Sequence, residues 1–138
     1  MFLSDMTPIE FVALLPAVQR INGKEYLHSV AMQDIGRCVV ELKPGIAEYQ
    51  LDRNWHTLHV WGGLSNASKT GVEIQLSISD SDSGASLWSA TFKPNSVKEM
   101  TLNVSNVARI KLREDYVGGV DNDCAPGVAV WGDAELRK

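Results

Sequence analysis

The run Val72-Glu73-Ile74-Gln75-Leu76-Ser77-Ile78-Ser79 alternates apolar and polar side chains without a break. Successive side chains of a strand point to opposite faces, so this period of two buries Val72, Ile74, Leu76 and Ile78 together. A helix would scatter the same four residues around its axis. The polar stretch Ser79 to Gly84 then predicts a hairpin loop. Beyond it Trp88, Ala90 and Phe92 share one face of a second strand, which Pro94-Asn95 stops. Met100, Leu102 and Val104 predict a third element, and Ile110 with Leu112 a fourth. These runs are short, rich in β-branched residues and separated by turn formers, as strands are and helices are not.

The same pattern extends upstream and downstream. Gly36 to Leu42 predicts a strand with Cys38, Val40 and Leu42 inward, ended by Pro44-Gly45. Ala47 to Leu51 and Trp55 to Trp61 predict two more, joined by a tight turn at Asp52-Arg53-Asn54. Asn22-Gly23 is the strongest hairpin signal, because both residues accept the positive φ of a type I′ turn. Gly127 to Leu136 restores the alternation, with Val128, Val130, Ala134 and Leu136 expected inward. The one helical candidate is Ile9 to Leu15, with Asp5 or Thr7 ahead of Pro8 as its cap. Eight or nine short strands with no repeat and no long linker predict an all-β antiparallel β-sandwich of the jelly-roll kind. At 138 residues the expectation is a single domain over 1–138.

Thirteen Lys and Arg against seventeen Asp and Glu give a net charge of −4, with no basic cluster interleaved with aromatics. That balance speaks against nucleic acid as a partner. The longest apolar stretch, around Ile9 to Val18, holds Glu10 and Pro16 and falls short of the roughly 20 residues that span a bilayer, so no membrane insertion is expected. Met1-Phe2-Leu3-Ser4-Asp5 lacks the basic-then-apolar order of a signal peptide. Cys38 and Cys124 form no C-x-x-C pair, which lowers the odds of zinc, iron–sulfur or thioredoxin chemistry. One bridge and two free thiols both remain open, and the expectation is that the two lie too far apart to bond.

No enzymatic constellation stands out. Gly62-Gly63 and Gly118-Gly119 lack dinucleotide-binding spacing. His56 and His59 would face opposite sides of a strand and so could not share a metal. The acidic pairs fall in turns rather than across a cleft, where glycosidase chemistry would need them. Asp80-Ser81-Asp82-Ser83-Gly84 begins like an EF-hand loop but carries Gly84 at the fifth position and Thr91 at the twelfth. Asp121-Asn122-Asp123 is a second oxygen-rich loop. Either is a candidate for a structural Ca²⁺ held by Asp80, Asp82, Asp121 or Asp123, although plain solvated turns are the favoured reading of both.

Four segments together carry a resemblance. Leu3-Ser4-Asp5-Met6, Ile21-Asn22-Gly23-Lys24-Glu25-Tyr26, His28-Ser29 and Trp131-Gly132-Asp133-Ala134-Glu135-Leu136 resemble, in order and over nearly the whole chain, the NPCBM family of carbohydrate-binding modules. The resemblance implies a discoidin-like, galactose-binding-like jelly roll, often with a structural calcium. It also implies a non-catalytic carbohydrate-binding or accessory module, of a kind often attached to bacterial glycoside hydrolases or cell-surface proteins, in an extracellular or cell-surface setting. The chain departs from the family at Val128, Ala129 and Val130, where acidic residues are usual, at Gly132, at Glu135 in place of Arg, and across His56 to Lys69. The alternative is a protein–protein assembly module on the same sandwich.

One strand face bears on both readings. If Leu58 and Val60 are in the core, Trp55, Thr57, His59 and Trp61 point the other way. Indole faces stack on the apolar side of a sugar ring, while imidazole and nearby polar groups bind its hydroxyls. Trp55, His59 and Trp61, with Asp121 and Asn122 as neighbours, are therefore the candidate ligand-binding residues. The competing reading makes this face the inner one and the tryptophans core. Trp88 and Trp131 read as packing residues.

Overall fold

A computed structural model of the chain describes residues 1–12, 14–15, 19–33, 44–66, 68, 70–118 and 127–138. Among them twelve strands follow in order: β1 (Glu10–Val12), β2 (Leu14–Leu15), β3 (Gln19–Ile21), β4 (Lys24–Tyr26), β5 (Val30–Gln33), β6 (Gly45–Gln50), β7 (Thr57–Leu64), β8 (Glu73–Asp80), β9 (Ser86–Phe92), β10 (Val97–Asn103), β11 (Arg109–Gly118) and β12 (Val128–Arg137). One five-stranded sheet runs β1-β6-β11-β8-β9, the other β10-β7-β12-β5-β2, and β3-β4 forms a separate hairpin. Every pairing is antiparallel. The expected antiparallel sandwich is the fold of the molecule.

The inner faces meet in one core. Val72, Ile74, Leu76 and Ile78 are fully buried, and they pack with Ala47, Tyr49, Ile110 and Leu112 of their own sheet and with Leu58, Val60, Ala129 and Trp131 of the opposite one. Trp131 is wholly inside and meets the half-buried Trp88 edge-on at 6.3 Å between ring centroids. Both therefore serve packing.

Two expectations require correction. The segment from Ile9 to Leu15 is extended where described, not helical. β1 pairs with Ile46–Glu48 in one sheet and β2 with Ala31–Met32 in the other, so each caps an open sheet edge. Backbone pairing at two edges outweighs a short helix whose apolar residues would have no continuous face to cover. A single 3₁₀ turn at Leu3–Asp5, anchored by the buried Leu3, is the only helical element among the described residues. The turn at Asp52-Arg53 exists, with both residues at positive φ, but it leads from β6 in one sheet to β7 in the other. The expected tight turn is thus a sheet-to-sheet corner, tied down by Leu51 and Asp52 N–H groups that both donate to the Ala108 carbonyl.

The second correction is the parity of β12. Ala129 and Trp131 join the main core and Val130 lies on the opposite side, whereas Ala134 and Leu136 face inward again. The register against β7 slips between Gly132 and Glu135, where one extra residue is accommodated and Asp133 adopts a φ of 43°. A bulge of this kind reverses the alternation midway along the strand. The strand expected over Gly36 to Leu42, Cys38, Cys124 and the acidic loop at 121–123 lie outside the described residues.

Candidate functional site

Strand β7 sets the site. Leu58 and Val60 are in the core, so His59 and Trp61 emerge on the outer face of their sheet, as the alternation requires. The β3–β4 hairpin folds over that face. Its turn is the type I′ pair, Asn22 at φ 50° and Gly23 at φ 81°. Ile21 and Tyr26 from the hairpin bury themselves against Val130, forming a second small core to which Trp61 packs. Gly132 makes this seating possible: a Cβ there would stand 2.5 Å from Tyr26 Cδ1.

Beside the hairpin an open cleft of about 350 Å³ is lined by Phe2, Glu25, Leu27, His28, His59, Trp61, Asp133, Glu135 and Arg137. That is the small end of the range for ligand pockets, roughly 300–1,000 Å³. Trp61 and His59 meet edge to face, with centroids 6.2 Å apart and planes at 82°. His59 Nε2 lies 3.5 Å from a carboxylate oxygen of Glu99. Across the cleft, Phe2 and His28 stack in parallel at 3.9 Å. Phe2 reaches this position through a backbone bridge to Glu135.

The polar lining comes from β12 and owes its direction to the bulge. A non-glycine residue at positive φ is strained by roughly 1–2 kcal/mol, least so for Asp and Asn. At Asp133 that conformation turns the carboxylate toward the cleft, where Oδ1 accepts the His28 backbone N–H at 3.1 Å. Two residues on, Glu135 Oε1 accepts from Arg137 Nε at 2.8 Å. This hydrogen bond, with the charges of Arg137, the terminal amine and His59 behind it, holds the Glu135 carboxyl below its usual range. Burial, and then the negative charge of Asp133, push the Tyr26 phenol up. The Lys24 ammonium sits 4.9 Å from the Trp61 ring centroid and 5.2 Å from that of Tyr26, within cation–π range.

The site residues read from the sequence part company here. His59 and Trp61 line the cleft together. Trp55 does not: it precedes β7, packs half-buried against the main core and carries the Lys138 ammonium 5.5 Å above its ring. Asp121 and Asn122 lie outside the described residues. Asp80 accepts the Asp82 N–H at 2.9 Å and closes its own turn, while Asp82 takes the Arg109 guanidinium, Nε at 2.8 Å. Arg109 is correspondingly held protonated above its usual range, first by that hydrogen bond. Among the described residues no group of three or more His, Cys, Asp or Glu side chains is placed to hold a metal ion. His56 stands away from His59, its Nδ1 2.8 Å from Ser105 Oγ. Sequence reasoning missed Phe2, His28, Asp133 and Glu135 as partners of Trp61. The signal was present in the W-G-D-A-E-L segment, but uninterrupted alternation hid the bulge.

No family model matches this sequence, and no curated protein sequence matches it. Solved structures do match, over 99% of the chain, and three are from Clostridium perfringens. One is the M60 catalytic domain with the CBM51-1 and CBM51-2 domains of ZmpB, at a TM-score of 0.73 and 15% identity. Another is CBM51-2 of ZmpB, in complex with GlcNAc, with INT domains, at 0.75 and 15%. The third is the CBM51 of a GH95 protein in complex with methyl-galactose, at 0.74 and 12%, where 98% of the other chain is covered as well. The present chain spans only 15% and 31% of the first two. At such identities the likeness is one of fold, and the fold is that of carbohydrate-binding modules.

Proposed function

We propose that the chain is a non-catalytic glycan-binding module, a single domain of the NPCBM kind working outside the cell or at its surface, and that the cleft beside Trp61 receives the sugar. The observation that carries this reading is the convergence, in one open cleft, of an indole, two imidazoles and a carboxylate aimed by a strained bulge. Such a lining offers a sugar ring an aromatic face and its hydroxyls several acceptors. The resemblance of the sequence to NPCBM domains and the shared fold of modules solved with GlcNAc and methyl-galactose lend it support. Affinity is expected to be weak, because one stacked ring and a few exposed hydrogen bonds must overcome the cost of association.

The test is titration of the protein and of a folded Trp61→Ala variant with glycans chosen from an array screened with calcium supplied. Loss of the stacking ring should weaken binding about tenfold. Undiminished binding by the variant would move the site elsewhere. Failure of the unmodified protein to bind any glycan would favour the assembly-module reading, for which the exposed Ile9 and Phe11 beside the sandwich edge offer apolar contact surface.

A further inference from the structure

The lining of the cleft carries more carboxylates than guanidinium groups, and Trp61, one of its lining rings, already carries an ammonium group beside it. Glu25, Asp133 and Glu135 line it against a single guanidinium, Arg137, which Glu135 occupies. Glu25 is paired with Arg20 at 3.3 Å, outside the lining. Asp133 uses Oδ1 for the His28 N–H, and Oδ2 has no partner among the described residues. Lys24 is a further cation, beside the lining rather than in it. No carboxylate among the described residues pairs with it; instead it rests on the faces of Trp61 and Tyr26.

We propose that the cleft selects sugars bearing a free amino group, whose ammonium takes the aromatic corner that Lys24 fills in the free protein and pairs with Asp133. This deepens, and rests on, the glycan-binding reading. An indole and a phenol ring placed about 5 Å from an ammonium are a cation site by geometry, and the chain's own lysine shows that an ammonium fits there. A hydroxyl in the same place gains no such attraction. A sugar carboxylate would face Asp133 and Glu135 with Arg137 already engaged, so like-charge repulsion would act against it. Because Lys24 is exposed and held only by the two rings, an incoming ligand can displace it into solvent.

Methyl glycosides of glucose and galactose, their 2-amino-2-deoxy counterparts and the corresponding uronic acids provide the test, titrated by NMR slightly below neutral pH. The amino sugars should bind more tightly than the neutral ones, by about 2- to 5-fold once Lys24→Ala has vacated the rings, a cation–π contact at an exposed site, and the uronic acids more weakly than either. Lys24→Ala should strengthen binding of the amino sugars by a similar factor. Asp133→Asn, which keeps a carbonyl oxygen for the His28 N–H and tolerates the positive φ, should abolish the preference for the amine. Raising the salt concentration should narrow it. Uronic acids binding as tightly as amino sugars, or a weaker Lys24→Ala variant, would overturn the proposal by making Lys24 an anion anchor. Equal binding of amino and neutral sugars, still dependent on Trp61, would overturn it while leaving the glycan-binding reading intact. Absence of binding in all three series would remove both.

Discussion

Gly132 and Asp133 are adjacent residues with opposite demands. Gly132 must lack a side chain because the Tyr26 ring lies where a Cβ would go, and Asp133 must carry one because its carboxylate turns into the cleft. Gly132→Ala should therefore destabilise the protein by about 1–3 kcal/mol, the range for forcing atoms into a packed site. Denaturant melts followed by tryptophan fluorescence would show it; an unchanged midpoint would mean that the hairpin is not seated as described. Tyr49 gives a second residue-scale outcome. Burial raises its phenol to about 12 from an ordinary value of 10.0. The unfolded chain then loses that proton at lower pH than the folded one, so stability is intact below pH 10 and falls as pH rises toward 12. Tyr26, shifted in the same direction, adds to the fall. Melting temperatures measured across this alkaline window should drop, and a Tyr49→Phe variant should drop less. At this scale His59 and Trp61 were legible from strand parity alone. Trp55 was not, because parity says nothing about a residue that lies just outside the strand.

Among the elements, the hairpin β3–β4 was the most readable, since Asn22-Gly23 dictates its turn by backbone conformation. A Cβ at Gly23 would meet nothing within 4 Å, so Gly23→Ala probes φ alone and should cost about 1–2 kcal/mol. Thermal melts check that value; a neutral substitution would argue that the turn is not left-handed. The same reasoning failed at Ile9 to Leu15, where a local capping signal competed with two sheet edges distant in sequence. Pairing partners at Ile46–Glu48 and Ala31–Met32 cannot be read from the segment itself. Strand β12 failed for another reason. An extra residue at Asp133 has no compositional mark, yet it alters the facing of the residues on either side. Of the elements that build the cleft, β7 and the hairpin were thus legible and β12 was not.

For the whole molecule, the run Val72 to Ile78 requires an apolar layer opposite, and the other short strands of the chain make that layer a second sheet. That layer is Leu58, Val60, Ala129 and Trp131 from the facing sheet. Leu76, fully buried in the middle of β8, should cost about 2–5 kcal/mol on truncation to alanine, and a loss below about 1 kcal/mol in denaturant melts would contradict its central place. The proposed glycan site lies on the outer face of β7 beside the hairpin. The chain's four tryptophans allow a direct measurement, since each indole N–H gives its own NMR resonance and each ring has a different station. Trp131 is sealed in the core, Trp88 and Trp55 pack against it, and Trp61 borders the cleft. With a glycan that binds, the Trp61 indole should shift most and saturate with the ligand, while that of Trp131 stays in place. Movement of Trp55 or Trp88 with Trp61 unmoved would contradict the account.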